Sequence, residues 1–461
     1  MSVLWAGRQA PADRKLLEEE EEERLAPYAL KSRVAGEHRE HREKSPLQYR
    51  TQFHRDRDRI IWCRTFKRLQ HKTQIFPHYV TDHFRRRLTH TLEVSQIATT
   101  IARALYLNEV ATEAMALAHD LGHAPFGHAG EIALDAAVRD AQGQRPDNPN
   151  IPIWSFNHAV QGVELLERIE QEYATPGMKP MYGLNLTREV REGVLKHRRW
   201  KAWTNAPPCP AGGTPKPSLW RLADLAGYSK YTHFGTHPGS LEAQCVLLAD
   251  KVAYFFADLE DGLRSGILPY RALTDALTTL KDLFQRTFEE EQRMHNVTYQ
   301  PPHAGVDDID AFLDFRRKGI AAFILAAVRH AWEDLQRDRV TSPDEGSRRI
   351  YVALPPDIEE EKESVYGKLV QGIVLTNYRY QTMEEKAKRI VSDLFKAYLK
   401  KQSLIPKDFR DRTCTAYRDL VSSEELIELL AAKNYVAGMT DSFAISNHAD
   451  LFMSSKQVPL A

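Results

Sequence analysis

The chain is poor in cysteine and has no excess of either charge. Its 461 residues include only four cysteines, and 63 basic side chains balance 63 acidic ones. No two cysteines form a C-x-x-C pair or stand at zinc-finger spacing, which argues against a disulfide framework and predicts a reducing compartment. The neutral balance argues against a protein that coats nucleic acid through a uniformly basic surface. The cysteines are Cys63, Cys209, Cys245 and Cys414.

Long apolar runs are also missing. The longest uncharged apolar run, 319–328, is far shorter than the ~18 residues that a membrane-spanning helix needs. The N-terminus has no apolar signal core, and the glutamates at 18–23 are wrong for a transit peptide. The sequence therefore predicts a cytoplasmic protein with no membrane partner.

Strand-like alternation of apolar and polar residues is scarce and limited to short pieces such as 350–354. Helical spacing is frequent instead, with apolar residues at i, i+3 and i+4 over 88–105 and 320–335. Ser422 and Glu425 form a capping-box pattern, which predicts that another helix starts there. Since 42% of the residues are hydrophobic, the chain can bury a large core, and we predict an all-α fold.

Composition divides the chain into three predicted parts. Residues 1–45 are polar and indicate a charged N-terminal arm that is solvated. We expect a helical core over 46–275 and a C-terminal helical region over 276–461 that packs on this core. Two stretches rich in helix breakers, 142–152 and 206–218, are predicted loops.

The strongest chemical signal is a cluster of imidazoles and carboxylates in the segment MALAHDLGHAPFGHAGE. Its members are His119, Asp120, His123, His128 and Glu131. Burying so many such groups at one helix end is costly unless another charge neutralises them, and a divalent metal ion would do so. Adjacent residues on a helix diverge by about 100°, so the remaining ligands would have to come from other helices.

Two residues outside this segment are candidate ligands. His90 lies in RRLTHTLEV, and Asp250 lies in a helix with an apolar face. A lone histidine on an apolar face is more often a satisfied core residue, and a single His-Asp dipeptide is weak evidence. His90, the pair at 119–120 and Asp250 together, each on a helix of fitting polarity, favour a metal site.

The motifs that contain these residues resemble the HD-domain metal phosphohydrolases, in particular the deoxyguanosinetriphosphate triphosphohydrolase-like members. The motifs are RIIWCRTFKRLQHKTQIF (59–76), RRLTHTLEV (86–94), ALAHDLGHAPFGHAGE (116–131), FNHAVQG (156–162), REGVLKH (191–197), SLEAQCVLLADKVAY (240–254), DLEDGLRSG (258–266) and YVAGMTDSFA (435–444). The resemblance implies the helical HD fold with additional C-terminal helices. It also implies hydrolysis of dGTP, or of several dNTPs, to deoxynucleoside and inorganic triphosphate, by attack of metal-activated water on the α-phosphorus.

The resemblance also implies roles for individual residues at the reaction centre. The metal ligands would be His90, His119, Asp120 and Asp250, holding Mn²⁺, Mg²⁺ or another divalent transition metal. The catalytic group would be His128 with Glu131, one helical turn apart, and His123 would lie nearby and face phosphate.

The substrate-binding residues that the resemblance implies are Arg64, Gln74, Arg87, His158, Lys251, Tyr254 and Asp258. Arg64 belongs to the basic stretch 54–72, which suits a polyphosphate although such runs are usually solvated faces. Tyr254 would pack against the deoxyribose and Asp258 would accept a hydrogen bond from its 3′-hydroxyl. Lys251 stands where many bacterial members have an acidic residue, and it adds a cation that could reach phosphate.

Other functions remain open at this stage. The same fold and ligands would serve a nucleotide monophosphatase or phosphodiesterase, and a nucleotide- or single-stranded nucleic-acid-binding module without catalysis is a third hypothesis. The resemblance implies a dNTP substrate, a nucleotide activator as a further partner, and a homo-oligomer, either a tetramer or a hexamer.

Overall fold

All regular secondary structure in the described part of the chain is helical. The computed structural model describes residues 12–41, 49–74, 85–143, 156–170, 183–197, 238–295, 309–418, 421 and 423–453. These ranges contain no strand, only an isolated bridge between Thr73 and Arg86. The predicted all-α fold is therefore confirmed.

The helices carry our own numbering in chain order. Those of the first half are α1 (Arg14–Arg24), α2 (Ser32–Glu37), α3 (Gln52–Trp62), α4 (Arg64–Arg68), α5 (Arg87–Ala104), α6 (Glu109–Ala118), α7 (Gly127–Gly143), α8 (His158–Glu164), α9 (Arg188–Lys196) and α10 (Leu241–Arg264). Those of the second half are α11 (Tyr270–His295), α12 (Ile309–Arg337), α13 (Pro343–Gly346), α14 (Pro356–Tyr366), α15 (Tyr378–Lys400), α16 (Lys407–Tyr417), α17 (Glu424–Ala437) and α18 (Asp441–Phe452). Short 3₁₀ helices cover Leu69–His71 and Gln402–Leu404, and π-helical turns cover Leu165–Ile169 and Gly367–Val374.

The helices expected from periodicity are present. The pattern at 88–105 corresponds to α5 and the pattern at 320–335 lies inside α12. A helix also starts where the capping box predicted one, but its N-cap residue is Ser423, and Ser422 lies outside the described residues. The segment 350–354 has no regular secondary structure, so the strand-like pattern there does not correspond to a strand. The predicted loop 206–218 and residues 144–152 of the other loop lie outside the described residues.

The main hydrophobic core surrounds α5, α6 and α10. These helices pack on one another because each has buried apolar residues spaced three or four apart, as Ile97, Ile101 and Leu105 are on and just after α5. The same core extends through α11, α12 and α14 as far as Val374. Helix α10 is buried on almost every side, so the polar residues that it carries need partners inside the protein.

The N-terminal arm is more buried than the sequence suggested. Residues 14–24 and 32–37 are helical, and the side chains of Glu18 and Glu21 are buried. Glu21 accepts hydrogen bonds from the backbone N–H and the hydroxyl of Ser32, each 2.8 Å long. Tyr28 and Leu30 belong to the main core. The prediction of a fully solvated arm is therefore wrong for the described residues. Hydrogen bonds from Ser32 compensate the burial of Glu21, and Glu18 lies 3.8 Å from Arg14.

A second hydrophobic cluster joins the C-terminal helices to α7. It contains apolar residues of 124–138 together with those of α15, α16 and α17, and α15 packs along α7. Helix α7 begins beside the predicted catalytic residues, so the C-terminal helices directly support that part of the chain. Among the described helices, none is long and apolar enough to cross a membrane.

Candidate active site

One large cavity, of about 570 Å³, lies between the helices of the main core and the C-terminal helices. Its inner end is lined by imidazole and carboxylate groups, and its outer end by tyrosines and residues of α15. The lining includes Gln74, Arg87, His90, Asp120, His123, His128, His158, His197, Asp250, Lys251, Tyr254, Asp258, Tyr366 and Tyr380. The volume falls in the range typical of small-molecule sites.

The four predicted metal ligands converge at the inner end, which we call the histidine end. His90 lies on α5, His119 and Asp120 directly follow α6, and Asp250 lies on α10. The Nε2 atom of His119 is 3.4 Å from an oxygen of Asp120 and 3.7 Å from an oxygen of Asp250. The Nε2 atom of His90 is 2.9 Å from Asp250 and 4.0 Å from Asp120. Three helices thus bring two imidazoles and two carboxylates to one point.

The donor atoms of this cluster fit a divalent metal ion. Nδ1 of His119 lies 2.7 Å from the carbonyl oxygen of Ala116, which can only accept, so Nδ1 carries the proton and Nε2 presents a lone pair. That Nε2 atom is buried and has no hydrogen-bond partner among the described residues. A buried lone pair facing two carboxylates needs a cation or a donor. Two imidazoles and two carboxylates form a ligand set suited to first-row divalent ions.

Asp120 is held in its ionised form by the groups around it. Arg87 donates a hydrogen bond of 2.7 Å to one of its oxygens, and Nε2 of His123 is 3.1 Å from the other. Burial would raise the pKa of Asp120, but the nearby His119 and Arg87 lower it well below its usual value. Arg87 lies on α5 one turn before His90, so the same helix supplies a predicted ligand and the cation that orients another.

A chain of hydrogen bonds connects Glu131 to the deepest histidine. Nδ1 of His197 lies 2.7 Å from the carbonyl oxygen of Val194, so its Nε2 can only accept a hydrogen bond. His158 contacts this Nε2 at 2.9 Å through its own Nε2, and contacts Glu131 at 2.9 Å through Nδ1. Both partners of His158 are acceptors, so the geometry assigns a proton to each of its nitrogens.

The neighbouring imidazoles are neutral. Burial and the charge of His158 lower the pKa of His197 to about 3. Burial and the nearby Arg87 lower the pKa of His123 well below its usual value, and the ring of His123 stacks on His158 at 3.8 Å. Burial raises the pKa of Glu131, but His158 and His128 together lower it by more, so this carboxyl is ionised. Because their pKa values are lowered, the imidazoles of His123 and His197 act as hydrogen-bonding groups in the neutral form rather than as bases near neutral pH.

His128 differs from the other histidines that line the cavity because its side chain is 70% exposed. It lies in the first turn of α7, one turn before Glu131, and its Nδ1 is 3.6 Å from Oε2 of Glu131. The predicted pairing of His128 with Glu131 is therefore compatible with the geometry, but the nearer partner of this carboxylate is His158, a contact that the sequence did not indicate.

The loop that carries His123 and His128 is held by residues that sequence reasoning missed. Phe126 has φ of +63°, a strained value for a residue with a side chain. Its backbone N–H donates to Oδ1 of Asp441 at 2.9 Å, and Oδ2 of Asp441 accepts from the backbone N–H of Thr73 at 2.9 Å. Lys72 is fully buried and donates to the carbonyl oxygens of His123 and Ala437. The motif YVAGMTDSFA contains Ala437 and Asp441, and this motif was the available signal.

The outer end of the cavity, which we call the tyrosine end, has a different character. The hydroxyl of Tyr366 donates a hydrogen bond of 2.7 Å to Asp258, and the rings of Tyr254 and Tyr366 meet edge to face at 5.4 Å. The other oxygen of Asp258 is buried and has no described partner. Burial raises the pKa of Asp258 to about 7 against the lowering effect of Tyr366. Tyr366 and Tyr380 were not predicted, because they lie in a part of the chain without a recognised motif.

Most predicted substrate-binding residues line this cavity, but Arg64 does not. Gln74, Arg87, His158, Lys251, Tyr254 and Asp258 are all in its wall. Lys251 also pairs with Glu359 at 3.0 Å. Arg64 lies at a separate, smaller cavity, because helix α4 faces away from the site and the chain reaches the site only at residues 73–74. The basic stretch 54–72 supplies no side chain to the large cavity.

Comparison with known proteins agrees with this geometry. The HD domain matches residues 87–254, which include all four predicted metal ligands, and the phosphohydrolase-associated domain matches residues 352–450. The deoxyguanosinetriphosphate triphosphohydrolase-like protein of Bordetella pertussis is 37% identical over 430 residues, or 93% of this chain and 96% of its own length. Proteins of the same name are 35% identical in an Azoarcus species, over 93% of this chain and 96% of that protein, and 33% identical in Geobacter metallireducens, over 89% and 91%.

HD domains depend on a divalent metal ion, and this chain has imidazole and carboxylate groups placed to bind one. The match covers both the core and the C-terminal helices, so the resemblance inferred from the motifs is confirmed along the chain. The protein is a metal-dependent phosphohydrolase with an HD fold, and it belongs to the deoxyguanosinetriphosphate triphosphohydrolase-like family.

Proposed function

We propose that the protein hydrolyses deoxynucleoside triphosphates to deoxynucleoside and inorganic triphosphate. The observation that carries this proposal is the single cavity that joins the histidine end to the tyrosine end. The histidine end suits cleavage of a phosphate ester, and the tyrosine end suits a sugar and a base. The names of the relatives, which refer to dGTP, support the same substrate class.

The residues of the cavity would orient the substrate as follows. The triphosphate would lie against Arg87 and Lys251, two of the cations in the wall, because its roughly four negative charges need more than one cation. The deoxyribose would lie between Tyr254 and Tyr366, with its 3′-hydroxyl at the unpartnered oxygen of Asp258. A tyrosine ring against the sugar leaves little room for a 2′-hydroxyl, which would favour deoxynucleotides.

In this orientation of the substrate, the four metal ligands would lie at the α-phosphate. A divalent ion held by His90, His119, Asp120 and Asp250 would supply Lewis acidity and make water more acidic. The P–O5′ bond breaks, a P–O bond to water forms, and the leaving O5′ takes up a proton. His128 would donate that proton through Nε2, since Nδ1 faces Glu131. Neutral His123 lies beside the same phosphate.

We also propose that the functional unit requires both halves of the chain. The core over 46–275 would supply the chemistry, and the C-terminal region over 276–461 would complete the nucleoside site through Tyr366 and Tyr380. The N-terminal arm over 1–45 would serve to stabilise the core, since Glu21 and Leu30 are buried against it.

Product analysis tests the proposal. Purified protein is incubated with each dNTP, and with their mixture, in Mn²⁺ or Mg²⁺, and the products are resolved by ion-exchange chromatography. Deoxynucleoside and triphosphate in equal amounts are expected. Release of dNMP, or of orthophosphate alone, would contradict the proposal and favour a phosphodiesterase or monophosphatase. Binding without turnover would favour a nucleotide-binding module.

A further inference from the structure

A second cavity lies beside the segment 437–441, which holds the loop that carries His123 and His128 and which we call the catalytic loop. It has a volume of about 50 Å³ and lies where α4, the π-helical turn after α8, and α16 meet the turn at Gly438. A buried water needs roughly 10–15 Å³ of such space, so the cavity accommodates several waters or one tetrahedral oxyanion. The large cavity shares none of its lining residues.

Arginine dominates the lining of this second cavity. Four guanidinium groups come from three separate elements, whereas only one acidic side chain, Glu170, is present. The four arginines are Arg64 and Arg68 on α4, Arg168 on the π-helical turn and Arg412 on α16. Like charges brought together on a concave surface repel one another, and low-dielectric walls increase the repulsion.

Three of the four guanidinium groups have no carboxylate partner among the described residues. Arg64 makes no hydrogen bond or ion pair with the described residues. Arg68 donates a hydrogen bond to the carbonyl oxygen of Gly438, and Arg412 donates one to the carbonyl oxygen of Asp408, each 3.1 Å long. Glu170 already accepts from the backbone N–H of Thr65 at 2.9 Å and from its hydroxyl. A carbonyl oxygen satisfies a donor but carries no full charge.

Three buried arginine side chains elsewhere in the described chain form ion pairs with carboxylates. Arg39 pairs with Asp56 at 2.6 Å, Arg87 with Asp120 at 2.7 Å, and Arg191 with Glu167 at 2.7 Å. Arg64, Arg68 and Arg412 at the small cavity differ from these three arginines, because no carboxylate among the described residues pairs with them.

We propose that the small cavity is a binding site for a phosphate group, separate from the active site. The planar fork of arginine matches the oxygens of a phosphate in a bidentate manner, and several forks around one oxyanion supply both charge and hydrogen bonds. The volume admits one phosphate group and no nucleoside. The remainder of a longer ligand would extend outward past Arg64, which is exposed at the surface.

The position of this site gives the ligand a structural effect. Arg64, Arg68 and Arg168 precede residue 170, whereas Arg412 and Gly438 belong to the C-terminal helices. A phosphate bound among them bridges the two parts of the chain. It also lies next to the segment 437–441 that holds the catalytic loop. Binding to the folded state alone raises the melting temperature, so the ligand should stabilise the whole protein.

Inorganic triphosphate is the probe that tests this site in solution. The full-length protein is titrated calorimetrically, and its melting temperature is recorded, in EDTA and at low salt. Arg64→Ala/Arg412→Ala removes two forks, and Arg271→Ala/Arg286→Ala is a control with the same change of charge at exposed positions on α11. Any binding in the large cavity is common to all three proteins, so the difference between them reports the small cavity.

We expect Arg64→Ala/Arg412→Ala to bind inorganic triphosphate at least about tenfold more weakly, or to lose one of two binding events in the titration. The rise in melting temperature that triphosphate causes should also be mostly lost in this variant. The control pair should match the wild type, and Arg64→Lys/Arg412→Lys should fall between the two. Equal binding by all three proteins, or an equal loss in both alanine pairs, would overturn the proposal. Inorganic phosphate as a second probe shows whether one oxyanion is sufficient, whereas tighter binding of a dNTP shows that a nucleotide is the source. None of these results depends on whether the protein hydrolyses dNTPs.

Discussion

The two ends of the large cavity are built on different principles. At the histidine end, ionisable groups on α5, α7, α8 and α10 and directly after α6 and α9 hold one another through short hydrogen bonds, and each neighbour fixes the protonation of the next. At the tyrosine end, one hydrogen bond joins Tyr366 to Asp258, and the second oxygen of Asp258 has no described partner.

This difference indicates where the protein is already organised and where the substrate completes it. At the histidine end, the buried Nε2 atom of His119 and the Nδ1 atoms of His90 and His123 have no hydrogen-bond partner among the described residues, and a cation would satisfy the first of these. The tyrosine end leaves a buried acceptor open, which a substrate hydroxyl would satisfy. We therefore propose that the helices of the HD domain carry the reaction chemistry and that the surface shared with the C-terminal helices selects the substrate.

The largest effect is expected from the histidine end. His119→Ala removes the buried lone pair, so we expect loss of bound metal and a fall in activity on the order of 10³-fold, roughly 4 kcal/mol of transition-state stabilisation. Metal content by mass spectrometry and turnover of dGTP are the measurements. His330→Ala, on α12 and away from the cavity, is the control. Retention of metal and activity in His119→Ala would remove the basis for treating this end as the reaction centre.

The next largest effect is expected where the C-terminal motif holds the catalytic loop. Asp441→Asn replaces an acceptor of three donors by a group that can accept at only one oxygen, so we expect a loss of about 2–3 kcal/mol in the free energy of unfolding. The turnover number should fall more than the KM rises, because the loop carries catalytic groups rather than the nucleoside site. Asp450→Asn, exposed on the same helix, is the control. A change of KM alone would place Asp441 with the tyrosine end.

A smaller effect is expected at the tyrosine end. Tyr366→Phe removes the hydroxyl that orients Asp258, and the loss of one hydrogen bond should raise the KM for dNTPs about 3- to 10-fold with metal affinity unchanged. Discrimination against ribonucleotides should weaken as well. Tyr378→Phe, at an exposed position on α15, is the matched control. An altered metal content in Tyr366→Phe would show that the two ends are not independent.

The smallest effect is one of stability and depends on pH. Burial and the charge of Asp258 raise the pKa of Asp261 to about 8, with Glu260 raising and Arg85 lowering it. The folded protein keeps this proton up to about pH 8, whereas the unfolded chain loses it near pH 4, so stability falls as pH rises between these values. Asp261→Asn should flatten this fall and raise the free energy of unfolding by about 1–3 kcal/mol at pH 8.

Thermal unfolding between pH 4.5 and pH 8.5 measures this effect. Asp275→Asn, exposed on α11, should follow the wild-type curve. A curve for Asp261→Asn that runs parallel to that of the wild type would show that the Asp261 carboxyl is ionised in the folded protein.

Most residues of the histidine end could be predicted from the sequence, but few of the contacts that hold them in place could be. His90, His119 and Asp250 were identifiable because imidazoles and carboxylates on apolar helices are costly without a shared purpose. The proton on each nitrogen of His158 could not be predicted, since it follows from the backbone contact of His197 with Val194. Arg64 was predicted to bind the substrate but lies at the smaller cavity, because a motif shows that a residue type recurs, but not which way a five-residue helix faces.

The long-range contacts were the least predictable. Asp441 lies more than 300 residues from Phe126 along the chain, and no local pattern shows which backbone N–H a buried carboxylate will meet. The C-terminal region presented a helical pattern from 320 to 335, yet the residues that enter the cavity, Tyr366 and Tyr380, lie beyond it. Local periodicity predicts helices, whereas the partners of a helix depend on how the whole core packs.

The central claim, that the histidine end directs water to the α-phosphorus of a dNTP, is tested most directly by hydrolysis in H₂¹⁸O. The deoxynucleoside and the inorganic phosphate products are separated and analysed by mass spectrometry after a single turnover with dGTP. The account predicts one ¹⁸O atom in the triphosphate and none in the deoxynucleoside. Label in the deoxynucleoside, or in orthophosphate or pyrophosphate released without triphosphate, would contradict it.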